Sequence, residues 1–237
     1  MDKQANQESN QNRKDHSDEL KNRNEKDYER ILKEKKVYTE VDEEINKLVE
    51  IYKGSIVEIN NRRNSEKIDS IVNAANETLL GGGGIDQIIH AKAGPGLREE
   101  CIKKFPEDSF GARCRTGYSV ITGAHNLPFK AIIHTVGPYL DDSGNPQPKL
   151  LEFCYKHSLM YLDGKDISSI AFPCISTGYY GYPMVDACEI ALGYTRKFLD
   201  DPDNRKNTKK ILFCVYNDLE FKIYQNLFDK FFPKKKI

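Results

Sequence analysis

Short apolar runs alternate with longer amphipathic segments along most of the chain. Runs rich in β-branched and aromatic residues predict strands at residues 55–59, 68–72, 118–122, 131–136, 169–172 and 210–216. Apolar residues at helical spacing predict helices at residues 85–93, 97–105, 149–162, 184–199 and 219–231. Such alternation is typical of α/β proteins, in which helices cover both faces of a largely parallel sheet.

The start of the chain differs in composition from the rest. Residues 1–30 contain only Met1, Ala5, Leu20 and Tyr28 from the hydrophobic set, too few to form a core, so we expect a disordered, charged extension there. Apolar residues recur between residues 31 and 51, which indicates a helical lead-in. The folded domain is predicted at residues 52–237.

Two asparagines and four consecutive glycines stand between a predicted strand and a predicted helix. Asn73 and Asn76 end the strand, the glycines are residues 81–84, and Asp86 opens the helix. Backbone N–H groups of a glycine loop can surround an anion, and the positive end of the helix faces the same place, so the loop suits a phosphate or diphosphate. Three roles are open for Asp86. It contacts a neutral, hydroxyl-bearing part of the ligand, it takes part in the chemistry, or it simply caps the helix.

This glycine loop does not match two common phosphate-binding signatures. A P-loop would continue with lysine and a hydroxyl residue after the last glycine, and a Rossmann fingerprint would need a further glycine where Asp86 and Gln87 stand. A merely flexible turn also fits poorly, because the segment leads directly from an apolar strand into an amphipathic helix.

A second loop of the same design occupies residues 174–183, with the sequence Cys-Ile-Ser-Thr-Gly-Tyr-Tyr-Gly-Tyr-Pro. It follows a predicted strand, and Pro183 suits the first turn of the next helix. Ligands of open α/β sheets bind beyond the carboxyl ends of the strands, so we expect the two loops to form opposite walls of one cleft. Tyr179 and Tyr180 are either loop anchors or an aromatic face for a sugar ring.

Composition limits the partners and the compartment. Lys plus Arg and Asp plus Glu are both 36, so no net basic field would recruit nucleic acid, and no specific nucleic-acid partner is expected. No apolar segment approaches membrane-spanning length, and we expect a monomer without a membrane partner. A reducing compartment, the cytosol or nucleus, is favoured by widely spaced cysteines without a Cys-x-x-Cys motif, which are Cys101, Cys114, Cys154, Cys174, Cys188 and Cys214.

Four motifs in register carry a family resemblance that extends from about residue 52 to residue 233. They are Asn73-Ala-Ala-Asn76, the 81–84 glycine run with Ile85-Asp86, His134-Thr-Val-Gly-Pro138, and Ala171-Phe-Pro-Cys-Ile-Ser-Thr-Gly178 with Gly181-Tyr-Pro183. This combination resembles the macrodomains of MacroD type. The resemblance implies a three-layer α/β/α sandwich with a mixed, largely parallel central sheet.

The resemblance also implies an activity and its partners. Enzymes of this type remove mono-ADP-ribose from acidic side chains of proteins and hydrolyse O-acetyl-ADP-ribose. ADP-ribose and mono-ADP-ribosylated proteins would be the partners of this chain, and no cofactor or metal would be needed.

Individual roles follow from the same resemblance. Asp86, Asn76 and Tyr180 match the positions at the distal ribose, with Asp86 as the catalytic residue and Tyr180 packing on the ribose and helping to place the attacking water. In the family this water is held beside the diphosphate, so the substrate's own phosphate assists. Ligand contacts are expected from Ser55, Ile56, Asn73, Gly82, Gly83, Gly84, Ile85, Ser176, Thr177, Gly178, Tyr179, Gly181 and Tyr216.

Four further residues are interpreted with less specificity. Tyr216 is a candidate stacking face for adenine or an ordinary core tyrosine. His90 lies one helical turn after Asp86 and lines the pocket, supports it from behind or lies on the helix face. A structural role is favoured for His134, and Cys174 is not proposed as a nucleophile because no histidine is near it in sequence.

One position departs from the family pattern. Members usually carry Gly-Asp-Ile near the first strand, with the acid accepting a hydrogen bond from the adenine amino group. This chain has Gly54-Ser55-Ile56, followed by a polar insert at residues 60–67. We therefore expect the chemistry to be retained, with weaker or altered binding of adenine.

The same fold supports two other functions. A non-catalytic reader of ADP-ribose would need the glycine loops but not Asp86. A glycohydrolase that cleaves poly-ADP-ribose carries paired glutamates after its glycine run, whereas Glu99 and Glu100 of this chain follow a second glycine break at residues 94–96 and do not match.

Overall fold

The computed structural model describes residue 38, residues 40–61 and residues 66–235. The extension predicted to be disordered, residues 1–30, lies outside the described residues, and so do residues 31–37 of the predicted lead-in.

The described part of the chain forms a six-stranded sheet with helices on both faces. The strands are β1 (Val49–Lys53), β2 (Ser70–Ala75), β3 (Ser119–Gly123), β4 (Ala131–Val136), β5 (Ser169–Phe172) and β6 (Lys210–Val215). The helices are α1 (Glu43–Asn46), α2 (Ile85–Ala93), α3 (Pro95–Lys104), α4 (Pro148–Leu159), α5 (Met184–Asp200), α6 (Pro202–Asn207) and α7 (Asp218–Phe231), with a 3-10 helix at Ile56–Asn61.

The strand order is β1-β6-β5-β2-β4-β3. Neighbouring strands are parallel except for the antiparallel pair of β3 and β4 at one edge. The sheet is therefore mixed and largely parallel, and the predicted α/β/α sandwich is confirmed. Because β1, β6, β5, β2 and β4 run in the same direction, the loops that follow them lie along one edge of the sheet.

Alternating side chains of the central strands serve two separate cores. On β2, Ile71 packs among the apolar residues of α2, α3 and the 3-10 helix, whereas its neighbour Val72 packs among those of α4, α5 and α7. Ile132 and Ile133 of β4 divide in the same way. Successive residues of a strand point to opposite faces, so continuous apolar runs are needed for a sheet that is covered on both sides.

The first strand differs from the prediction. Residues 55–59 were predicted as a strand but lie in the 3-10 helix, and β1 is instead Val49–Lys53, which begins before the predicted domain boundary at residue 52. The apolar residues Ile56, Val57 and Ile59 bury against the sheet from a helical turn, so their run resembles a strand in sequence alone. Most of the polar segment at residues 200–208 forms α6.

Candidate active site

The candidate site lies along the edge of the sheet where the parallel strands end. The two glycine loops are neighbours there, since one follows β2, the other follows β5, and these strands pair directly. The loop after β4, which contains Gly137, adjoins the β2 loop, and Tyr216 and Ser55 follow β6 and β1 on the opposite side. This order brings all the predicted site segments to one edge of the sheet, and the space between their loops is the candidate cleft.

Asp86 is the buried acid of this cleft. It lies in the first turn of α2 and is 2% exposed. Burial raises its pKa above the usual 3.8, and this rise is opposed by a hydrogen bond from Asn73 and by the nearby His90. Asn73 Nδ2 donates to Asp86 Oδ1 at 2.7 Å, whereas Oδ2 is buried without a hydrogen-bond partner. A buried carboxylate oxygen with free acceptor capacity can receive a hydrogen bond from a ligand hydroxyl or a water.

Gly82 brings the first glycine loop into contact with two of the predicted catalytic residues. A Cβ atom on Gly82 would lie 2.8 Å from Asn76 Nδ2 and 3.0 Å from Asp86 Oδ2, so only glycine fits between them. A Cβ on Gly83 or Gly84 would meet no atom within 4 Å, so these residues border open space.

The N-terminus of α2 opens toward this loop. Gly84 precedes the helix with φ of 62°, a conformation that favours glycine, and no side chain caps the helix. The N–H groups of the first turn, which includes Ile85, are therefore available to an anion, and the helix dipole favours negative charge there.

Asn76 shapes the loop with both ends of its amide. Its Nδ2 donates to Gly81 O at 3.2 Å, and its Oδ1 accepts from Thr78 N at 3.0 Å and from Thr78 Oγ1 at 2.6 Å. The half-buried amide therefore holds the chain as it turns from β2 into the glycines.

The second glycine loop contains a strained serine. Ser176 has φ of 65°, which is uncommon for a residue with a side chain, and its Oγ is buried without a partner. Its carbonyl accepts from Tyr182 N at 3.0 Å, and Gly181 N donates to Gly178 O at 2.9 Å. Thr177 Oγ1 is bonded back to Cys174 O at 3.2 Å. The loop is thus held by its own backbone, and a Cβ on Gly178 would meet no atom within 4 Å.

An aromatic pair stands at the rim of the cleft. The rings of Tyr139 and Tyr180 stack with centroids 3.6 Å apart and planes 25° apart. Burial raises the pKa of Tyr180, and the neighbouring Tyr139, Asp86 and Glu77 raise it further, so its hydroxyl keeps its proton. Tyr179 is 86% exposed. Tyr139 is a site residue that the sequence did not reveal, and its position directly after the His-Thr-Val-Gly-Pro motif is the one signal that could have indicated it.

The predicted adenine end contains Tyr216, Ser55 and Ile56. Tyr216 is 82% exposed, so its interpretation as a core tyrosine is wrong and its ring is free to stack on a base. Ser55 is half-buried at the start of the 3-10 helix, and Ile56 is buried beneath it.

Burial shifts the pKa of two other titratable residues near the site. His90 Nε2 lies 3.5 Å from Asp86 Oδ1, and burial lowers the pKa of His90, an effect that Asp86 partly opposes. Burial raises the pKa of the Cys174 thiol, so it stays protonated and is a poor nucleophile.

Neither a metal cluster nor a membrane-spanning helix is found in the described part of the chain. No three His, Cys, Asp or Glu side chains are grouped there to hold a metal ion, and none of its helices has the length and apolar character that a membrane span requires.

Together, these features define an α/β/α sandwich in which two glycine loops lie at one edge of the sheet, beside a buried acid in the first turn of an uncapped helix. The family model described as Macro domain matches residues 72–191. The chain belongs to the Macro domain family, which confirms the resemblance found in its sequence.

Relatives with known names share about two fifths of their aligned residues with this chain. It is 43% identical over 187 residues to the ADP-ribose glycohydrolase MACROD2 of Xenopus laevis, an alignment that covers 78% of this chain and 41% of that protein. It is 42% identical over 177 residues to a Macro domain-containing protein of Xanthomonas axonopodis pv. citri, with 75% of this chain and 93% of that protein covered. The chain therefore spans less than half the length of the Xenopus relative.

Solved macrodomain structures resemble this fold. The crystal structure of the Trypanosoma brucei macrodomain in complex with ADP-ribose matches with a TM-score of 0.65 and 37% identity, covering 78% of this chain and 70% of that chain. The Oceanobacillus iheyensis macrodomain with ADP matches with a TM-score of 0.62 and 39% identity, covering 74% and 86%.

Proposed function

We propose that this protein is a mono-ADP-ribosyl hydrolase, which removes ADP-ribose from acidic side chains of proteins and also hydrolyses O-acetyl-ADP-ribose. The names of the MACROD2 relatives and the ADP-ribose in the Trypanosoma structure support this proposal. The observation that carries it is the Asp86 carboxyl group, buried beside an anion-binding loop with one oxygen unpartnered. A reader of ADP-ribose needs the glycine loops but does not need this acid, because burying a carboxylate costs free energy and the carboxylate repels a diphosphate.

The order of the loops along the sheet edge suggests how ADP-ribose lies. Its diphosphate lies between the glycines of the first loop and residues 176–178 of the second loop. Its distal ribose lies near Asp86, Asn76 and Tyr180, and its adenine lies toward Tyr216 and Ser55, on the side of β6 and β1. Mono-ADP-ribosylated proteins and O-acetyl-ADP-ribose would place the ester to be cut at the distal ribose.

In the proposed reaction a water molecule replaces the acid at the ester, so the products are ADP-ribose and a free carboxylic acid. Asp86 accepts a hydrogen bond from a ribose hydroxyl or from the attacking water through its unpartnered Oδ2. The raised pKa of Asp86 makes it a better proton acceptor than an exposed aspartate, as general base catalysis requires. The glycine loops orient the substrate, and holding the reacting groups in the right geometry raises the rate.

The decisive experiment uses a protein that carries ADP-ribose on glutamate. We expect the wild-type chain to release ADP-ribose at the same rate with and without a chelator such as EDTA. Tight binding of ADP-ribose without release would instead identify a reader module. Release that stops on addition of the chelator would contradict the metal-independent mechanism.

We also propose that the protein works in the cytosol or nucleus. In support, all six cysteines lie in the described part of the chain as thiols rather than disulfides, and five of them are buried. Fractionation of cells that express the tagged chain tests this proposal, and recovery from a secretory compartment would contradict it.

A further inference from the structure

A buried chain of hydrogen bonds connects the edge strand of the sheet to Asp86. Thr122 Oγ1 donates to Gly123 O at 3.1 Å, and Thr122 Oγ1 and His134 Nε2 are 2.9 Å apart. On the other side of the imidazole, His134 Nδ1 lies 3.0 Å from Asn73 Nδ2. His134 and Asn73 are fully buried, so these contacts do not exchange with solvent.

The contacts of Thr122 assign a direction to each bond in this chain. The Thr122 hydroxyl donates its one hydrogen to Gly123 O, which can only accept, so the Thr122 oxygen accepts from His134 Nε2–H. Burial lowers the pKa of His134 to about 3, so the ring is neutral and its Nδ1 carries no hydrogen. Nδ1 is therefore an acceptor that needs a donor.

Only one orientation of the Asn73 amide satisfies this requirement. Its Nδ2 group donates one hydrogen to His134 Nδ1 and the other to Asp86 Oδ1. A flipped amide would place its oxygen against two acceptors. The orientation observed leaves Asn73 Oδ1 buried without a partner, so it is set by the neighbours of Nδ2 and not by a bond to the oxygen.

We propose that His134 is a positioning residue, which fixes the amide of Asn73 and through it the orientation of the Asp86 carboxylate. The proposal rests on the proposed function, because the reaction needs Asp86 as an acceptor with its unpartnered Oδ2 left for the substrate or the water. His134 is fully buried and acts on the site through Asn73. Thr122, whose hydroxyl donates to the Gly123 carbonyl on β3, accepts from His134 Nε2–H, and His134 Nδ1 in turn accepts from the Asn73 amide that donates to Asp86. His134 therefore has more than the structural role expected from its strand position.

Two variants of His134 test the proposal. His134→Leu keeps most of the volume but removes the acceptor, so the Asn73 amide loses the bond that orients it. We expect kcat to fall by about tenfold or more, with KM changed less than about threefold, because ligand contacts are intact. His134→Asn offers its side-chain oxygen near the former place of Nδ1, and we expect it to recover a large part of kcat.

The pH profile separates positioning from packing. The hydrogen bond from Asn73 favours ionised Asp86, so its loss in His134→Leu should move the acid limb of kcat to higher pH. The other titratable groups around Asp86 are His90 on its own helix, Cys101 on α3 and Tyr180 on the second loop, and none of them is changed.

Thr135→Val is the matched control. Thr135 is the next residue of β4, is equally buried and bonds away from the site, to Ser119 and Tyr118. This variant should lower stability without moving kcat or the acid limb. If His134→Leu changes only stability, as Thr135→Val does, the positioning role is wrong.

Spectroscopy tests the positioning role of His134 independently of the proposed hydrolase function. The ¹⁵N shifts of His134 should show a neutral ring with its hydrogen on Nε2, and an Nδ1–H tautomer would overturn the proposal. A ¹³C titration of the Asp86 carboxyl should show a higher pKa in His134→Leu than in wild type, and equal values would also overturn it. If the wild-type chain releases no ADP-ribose, the proposed function fails, while these spectra still decide whether His134 positions Asp86.

Discussion

Gly137 packs so closely on Ser176 that a Cβ atom on Gly137 would lie 2.1 Å from Ser176 Oγ. These residues follow β4 and β5, which are not neighbours, because β2 lies between them in the sheet. The loop after β4 therefore reaches across the end of β2 and supports the second glycine loop at its strained residue. The glycine of the His-Thr-Val-Gly-Pro motif is needed for this contact between the two loops.

Gly137→Ala should displace Ser176 and so disrupt the second glycine loop. The added methyl group cannot fit beside Ser176, so the variant should lose about 1–3 kcal/mol of unfolding free energy from overpacking. Displacement of Ser176 should also weaken ADP-ribose binding, which calorimetric titration measures. Gly178→Ala is the control for stability, since no atom lies within 4 Å of its Cβ, and it should unfold like wild type. Equal stability of Gly137→Ala and Gly178→Ala would contradict the proposed support.

Asp86→Ala tests the catalytic assignment. Hydrolysis should fall sharply, because the variant loses the acceptor at the distal ribose, whereas ADP-ribose affinity should stay within roughly tenfold, about 1.4 kcal/mol, because the glycine loops are intact. Asp229→Ala removes an exposed acid of α7 and should leave both properties unchanged. Unchanged turnover in Asp86→Ala would show that another residue carries the reaction.

Asp86→Asn should stabilise the ligand-free protein at neutral pH. Burial raises the pKa of Asp86 in the folded state above its unfolded value near 3.8, so the ionised carboxylate opposes folding. This cost is absent below the unfolded pKa, grows as pH rises from the unfolded pKa to the folded pKa, and is complete above the folded pKa. The variant should therefore melt at a higher temperature than wild type at neutral pH, and the difference should shrink as pH falls toward 3.8. A difference that is constant across this pH range would contradict the interpretation.

Gly178→Glu should block the second wall of the cleft without unfolding the protein. The surroundings of Gly178 are open, so the side chain is accommodated, but its bulk and charge occupy the space assigned to the diphosphate. Binding and hydrolysis should fall together, while denaturant unfolding stays cooperative. Gly178→Gln separates bulk from charge and should be impaired less. Retained ADP-ribose binding by Gly178→Glu would mean that the diphosphate lies elsewhere.

The elements that sequence predicted best are buried on both sides. The bounds of β4 and β5 match the predictions, because every residue of these strands is buried and their apolar runs end where the sheet ends. β1 was missed because it is an edge strand whose middle residues are only half-buried. An edge strand needs fewer apolar residues, so its pattern is weak, whereas the buried 3-10 helix produced a stronger run just beyond it.

Some features of the candidate site could likewise be predicted from the sequence and others could not. The glycine loops could be predicted, because backbone requirements such as the positive φ of Gly84 are visible in sequence as glycine itself. Contacts between distant loops could not. The stacking of Tyr139 on Tyr180 and the chain from Thr122 to Asp86 depend on how β4 lies beside β2, which no local pattern records.

The structure also narrows the ways in which adenine can be recognised. Asn217 could replace the missing acid at Ser55 only through its side-chain oxygen, but this Oδ1 already accepts from Glu220 N at 2.9 Å as the cap of α7. The amide of Asn60, in the polar insert, is bonded to Ile68 and Pro128. Both side chains are therefore occupied, while Ser55 stays at the cleft edge after β1.

Ser55→Asp should tighten ADP-ribose binding. A carboxylate that accepts from the adenine amino group contributes about 1.5–3 kcal/mol, compared with about 0.5–1.5 kcal/mol for a neutral hydroxyl, so we expect a gain of about 1 kcal/mol, or roughly fivefold in affinity. The gain should appear in kcat/KM more than in kcat, because the adenine end binds ground state and transition state alike. Ser55→Asn, with a similar shape but no charge, should gain less. Calorimetric titration with ADP-ribose decides: equal or weaker affinity in Ser55→Asp would mean that adenine is read by other residues and that the half-buried carboxylate only adds a desolvation cost.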